Sequence, residues 1–187
     1  MIKCYSQQSA ETILSRYRPW IHELCARYGL PDALLRAVLY KEMTEMDRLD
    51  LAADIVAASG IFRKKDSSTG YGQVFGKTAV TAVNFAVDYS LTTYKDLGLP
   101  TDRRLDENSV RDCRTVWKCL YKDKYFNIEI AALTLLCAAH EMTGRYDFGS
   151  FDEQELKLIL TRYNADVKQV TPYGEEVFAL YQKMISA

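Results

Sequence analysis

Apolar residues recur at three- and four-residue spacing along most of the chain, and no segment alternates as strictly as a half-buried strand would. Ala10 to Tyr28 carries Ile13, Leu14, Tyr17, Ile21, Leu24 and Cys25 at close to helical spacing, and Gly29 stops that run. A second helix is predicted from about Pro31 to Met46. Proline is tolerated in its first turn, and Asp32 complements the dipole there. Leu49, Leu51, Ala52, Ile55 and Val56 suggest a short further helix over 47–59. Residues 60–76 read as irregular, with a small hairpin expected within 55–75. Helical spacing returns over 77–89, 107–121, 151–163 and 172–185. The run 128–142 is apolar nearly all round, which predicts a central buried helix. The expectation is an all-α chain, or a mainly α chain with a small hairpin.

Length and charge narrow this picture. The 187 residues fit one domain, 1–187. At that size about 70% of the unfolded chain's surface is buried on folding, enough for a core without staples. The 24 basic and 25 acidic residues leave a formal charge of -1, so no global basic field is available to hold a nucleic acid. No apolar run approaches the ~20 residues of a membrane span; the best, Ile128 to Ala139, is short and interrupted by Glu129. The opening Met-Ile-Lys-Cys-Tyr-Ser-Gln-Gln carries no apolar h-region, so no signal peptide is expected. The five cysteines are odd in number and none is spaced Cys-x-x-Cys, which favours reduced, buried thiols and synthesis in the cytosol.

Three places carry candidate chemistry. On the second helix, Glu42 lies at i+7, i+4 and i+3 from Leu35, Val38 and Leu39, so its carboxyl shares their apolar face. Desolvation there raises a carboxyl pKa and keeps the group protonated near neutrality, the state needed to protonate a glycosidic oxygen. The ordinary alternative is a surface glutamate paired with Lys41 or Arg48. The second place is Ser67-Ser68-Thr69-Gly70-Tyr71-Gly72-Gln73-Val74, where two glycines flanking an aromatic allow a tight turn and close backbone approach. The third is Arg162-Tyr163-Asn164-Ala165 at the end of an amphipathic helix, followed by Tyr173.

Together these segments resemble the lysozyme-like superfamily, above all the soluble lytic transglycosylases and goose-type lysozymes, from roughly Trp20 to Tyr181. Tyr28-Gly-Leu-Pro-Asp-Ala-Leu-Leu-Arg-Ala-Val-Leu-Tyr-Lys-Glu42 resembles the helix that closes on the family's catalytic glutamate. Gly70-Tyr71-Gly72-Gln73-Val74 is similar to the family's Gly-Leu-Met-Gln-Ile turn. Asn127-Ile128 is similar to the opening of its core helix, and Tyr163-Asn164-Ala165 matches its Tyr-Asn-Ala motif. Departures are Met43 where serine is usual, Tyr71-Gly72 for Leu-Met, and Asp166 where glycine often stands.

The resemblance implies a lysozyme-like fold and cleavage of the β-1,4 glycan strands of peptidoglycan, with Glu42 as acid. Tyr163 would bond that acid or the sugar. Ser68, Thr69, Tyr71, Gln73 and Asn164 would line the cleft. A lytic transglycosylase needs no second carboxylate, because the substrate's own hydroxyl attacks and a 1,6-anhydro end forms. A hydrolysing lysozyme needs one, and Asp66 or Asp54 is the candidate. No metal or organic cofactor is implied. The thirteen tyrosines and the departures leave open a non-catalytic glycan- or protein-binding helical module. A wall enzyme made in the cytosol must act in the periplasm or outside the cell. It would be delivered as an injected antibacterial effector, with a cognate immunity protein, or as a phage lysin.

Overall fold

The computed structural model describes residues 3–47 and 68–186. The expected short helix over 47–59, Asp54 and Asp66 lie outside those residues, apart from Asp47. Among the described residues there are seven α-helices and one small antiparallel hairpin, so the chain is mainly α.

Helix α1 spans Gln7–Tyr28 and starts where the Ser6 side chain accepts from the Ser9 amide, three residues ahead of the expected start. Helix α2, Asp32–Glu45, follows a short link through Pro31 and buries Leu34, Leu35, Val38 and Leu39. The hairpin pairs β1 (Ser68–Thr69) with β2 (Val74–Phe75), Ser68 opposite Phe75 and Thr69 opposite Val74. Helix α3, Gly76–Asp88, leaves β2 directly. Helix α4, Val110–Lys122, begins after the Ser109 cap, and α5, Lys124–Thr143, after the Asp123 cap. A capping box between Asp152 and Glu155 opens α6, Glu153–Asn164. Pro172 takes the first position of α7, Pro172–Ile185.

Helix α5 is the centre. Every residue from Phe126 to Ala139 is buried, and α1, α2, α3, α4 and α6 all pack against it. The all-round apolar pattern thus has a physical cause: over 126–139 no side of the helix faces water. Helix α7 lies against α6 and α2, with its first turn beside the last turn of α2. Among the described residues no helix is long and apolar enough to cross a membrane.

Candidate active site

The stripe Leu35, Val38 and Leu39 is buried as its spacing implies, and Glu42 extends it as a half-buried carboxyl on the last turn of α2. Its Oε1 accepts a hydrogen bond from the hydroxyl of Tyr173, the second residue of α7. Burial pushes the Glu42 pKa up to about 7. The nearby Glu45 adds to the rise, while the Tyr173 bond and the charge of Lys41 oppose it. Because Tyr173 donates to Oε1, the proton of the neutral acid belongs on Oε2. Lys41 does not pair with Glu42. Its ammonium binds Glu176 on α7 and, at 2.6 Å, Glu45.

The opposite wall is the turn between the two strands, and α5 grips it. The Asn127 amide donates to Thr69 O at 3.0 Å, and its Oδ1 accepts from Gly72 N at 3.0 Å. One side chain at the helix start thus satisfies two backbone groups of the turn. Gly70 has φ +73°, and a Cβ there would meet the Asn127 amide at 2.1 Å. A Cβ on Gly72 would stand 2.8 Å from the Ala131 Cβ and 3.1 Å from the Tyr163 hydroxyl. Those two glycines are what lets the turn lie directly on α5 and α6. Gln73 follows at φ 44° and closes the turn with its own side chain, donating to Gly70 O at 2.8 Å and accepting from the Ser68 hydroxyl at 3.0 Å.

Between these walls lies a cavity of about 190 Å³ lined by Glu42, by Gln73, Val74 and Phe75, by Thr78 of α3, by Thr134 of α5, and by the stretch Arg162–Asp166. A second cavity of about 330 Å³ runs on between α3 and α5 and shares Thr78, Thr134, Arg162 and Asp166 with the first. The shared lining makes one elongated groove with Glu42 towards one end. Arg162 sits where the two chambers meet, bonded to Glu141 at 2.7 Å and 3.6 Å from Asp166.

The structure therefore brings Glu42, Gln73, Tyr163 and Asn164 to one cavity, as the sequence suggests, and turns three other residues away. Thr69 is fully buried under the hairpin. Ser68 is spent on Gln73. Tyr71 points to the far side of the turn, into an aromatic cluster with ring centroids 5.7 Å from Tyr17 and 6.3 Å from Tyr5. None of the three lines the Glu42 cavity. Tyr163 also has a different partner from the one expected. Its hydroxyl donates to Gly72 O at 2.6 Å and so braces the turn, and Tyr173 holds the acid.

The role of Tyr173 is not legible from its place after the Arg162–Ala165 stretch, and Thr78 and Thr134 are lining residues that no motif marks. The spacing of Tyr173, Val177 and Leu180 on one face of α7 was the available signal for a side chain turned inward. Among the described residues no three His, Cys, Asp or Glu side chains converge as a metal site. No family model, no curated protein and no solved structure matches this chain.

Proposed function

We propose that this chain is a glycosidase that cuts the β-1,4 bonds of peptidoglycan glycan strands, with Glu42 as the acid. The observation that carries the proposal is a half-buried glutamate with its pKa raised to about 7, fixed by Tyr173 and lining an elongated groove. A general acid works best with a pKa near the working pH, and a polymeric substrate needs a groove longer than one sugar. The ordered resemblance to lytic transglycosylases and goose-type lysozymes supplies the substrate class.

In the transglycosylase form, Glu42 Oε2 gives its proton to the glycosidic oxygen and the bond from that oxygen to C1 breaks. The substrate's own C6 hydroxyl oxygen bonds to C1, and its proton returns to Glu42. The departing chain keeps the first proton and the acid is restored. Hydrolysis is the second reading, and Asp166 is the observation in its favour. It is the other carboxylate that lines the Glu42 cavity among the described residues. Asp66 and Asp54 remain candidates for the same role.

Purified sacculi digested in ¹⁸O-water separate the outcomes. Anhydro ends without label mean transglycosylation, and label on the new reducing end means hydrolysis. Release of no fragment, with sacculi still bound, would establish the non-catalytic binding module and remove the glycosidase reading. As an enzyme delivered into a competitor's periplasm, the protein would meet an immunity protein, and the groove is the surface such a partner would close.

A further inference from the structure

The side of Glu42 away from the groove is built as carefully as the side that faces it. Lys41, the preceding residue, is buried, with a side-chain exposure of 10%, unusual for a lysine. Its ammonium bridges two carboxylates, Glu45 one turn on along α2 and Glu176 on α7. The same ammonium lies 5.9 Å from the centroid of the Tyr173 ring. Tyr173 and Glu176 are three residues apart, so they share one face of α7. Consecutive residues of α2 thus reach the same first turn of α7: Lys41 takes Glu176, and Glu42 takes the Tyr173 hydroxyl.

From this geometry we infer that Lys41 and Glu176 form a positioning clasp for the acid. By fixing the first turn of α7 against the last turn of α2, the pair keeps the Tyr173 hydroxyl on Glu42 Oε1, and the transferable proton therefore on Oε2. Neither residue touches substrate. The inference rests on the glycosidase reading for its consequence in catalysis, and on geometry alone for the state of the carboxyl.

The charges facing Glu42 are few enough for the consequence to have a sign. On α2 they are Lys41 and Glu45. On α7 they are Tyr173, with Glu176 behind it. On α6 Tyr163 is near and Arg162 lines the same cavity, as does Asp166 just beyond that helix, while α5 contributes only the neutral Thr134. Burial opposes the charge on Lys41, yet the bonds to Glu176 and Glu45 outweigh it and hold the ammonium protonated. Lys41 favours the ionised form of Glu42, and the two carboxylates blunt that effect. Breaking the clasp also loosens the Tyr173 bond, whose loss raises the Glu42 midpoint, so removal of Glu176 raises it if the pair is a clasp and lowers it if only its charge counts.

The test is a titration of Glu42 followed through its ¹³C-labelled carboxyl by NMR, alongside the pH profile of kcat/KM on sacculi. Lys41→Met and Glu176→Gln should both move the midpoint up, by about half a pH unit or more. The alkaline limb of activity should follow each shift, and both variants should lose about three- to tenfold in kcat. Lys41→Arg should restore the wild-type midpoint to within about 0.2 unit. A midpoint that moves down in Glu176→Gln, or that moves in neither variant, overturns the clasp. Should Lys41→Met fail to fold, Glu176→Gln and Lys41→Arg decide alone, since Glu176 is 57% exposed and tolerates the change. The carboxyl titration needs no substrate. Upward shifts in both variants of a protein that leaves sacculi uncut would keep the clasp and discard the glycosidase reading.

Discussion

Glu42 and Glu129 are both carboxyls drawn into the interior on helices that pack together, and a tyrosine hydroxyl donates to Oε1 of each. Tyr173 serves Glu42, and Tyr28 serves Glu129 at 2.7 Å. Burial pushes both pKa values above the usual carboxyl range. The difference lies in the remaining neighbours. Arg27 binds Glu129 at 3.0 Å and continues to Glu23 at 2.7 Å, and Tyr125 closes the network by donating to Glu23 at 2.9 Å. Glu42 has no cation bonded to it among the described residues, and it lines the groove. One glutamate is matched with a counter-charge and stitches α1 to α5. The other keeps its proton near neutrality beside an open space. Burial alone does not distinguish the two carboxyls; the partner and the cavity do.

The largest effect that can break this contrast is on turnover. Glu42→Gln removes the proposed proton donor and should lower sacculus cleavage by about 10²- to 10⁴-fold, the usual worth of a general acid. Glu129→Gln leaves the groove as it is, and its activity should stay within about threefold of wild type. Muropeptide release by both variants, measured where both are folded by circular dichroism, checks the pair. Equal losses would mean that Glu42 has no special role.

The second effect is on stability, and its sign is less obvious. The Glu42 pKa rises from an ordinary 4.5 to about 7 in the folded chain. Below pH 4.5 the group is protonated folded or unfolded and contributes nothing. As pH rises from 4.5 to about 7, the unfolded chain ionises first, so folding loses stability over that window. The loss is on the order of 2–3 kcal/mol by pH 8. Glu42→Gln should therefore match the wild type at pH 4 and exceed it at pH 8, while abolishing turnover. At Glu129 the same change deprives Arg27 of its carboxylate and should give no such gain. Thermal unfolding of the three proteins at the two pH values reads both arms. A Glu42→Gln protein no more stable than wild type at pH 8 would show that the carboxyl is solvated.

How far the sequence reaches follows the same line. The stripe Leu35, Val38, Leu39 and Glu42 is a local pattern within one helix, so periodicity alone puts the Glu42 side chain on the apolar face. The apolar run of α5 is local in the same sense, and the hairpin is announced by Gly70 and Gly72. Tyr173 meets Glu42 across 131 residues of chain and Tyr163 meets Gly72 across 91, and those pairings depend on how α6 and α7 pack. Spacing within a segment carries no information about that. Tyr71 shows the complementary limit. An aromatic residue at the tip of a turn can face either side, and here the Tyr5 and Tyr17 rings take it away from the groove. Asn127 lay between the two cases: a polar residue at the start of an apolar run marks a special position, but only the packed turn shows that it holds Thr69 O and Gly72 N.

The smallest effect sharpens the comparison furthest, because it changes one oxygen at each site. Tyr173→Phe removes the bond that orients Glu42 and opposes its raised pKa. Activity should fall about tenfold and its alkaline limb should move up, since the neutral acid gains relative to the anion. Tyr28→Phe removes the equivalent donor from Glu129. There the oxygen still has Arg27, so the cost should be about 1 kcal/mol in stability with no change in the pH profile. The two variants delete the same atom from the same kind of bond, to the same oxygen of a buried glutamate. If their pH profiles move alike, the groove beside Glu42 has no bearing on its chemistry. If only Tyr173→Phe moves the profile, the tyrosine on α7 acts through the acid, and the one on α1 only holds two helices together.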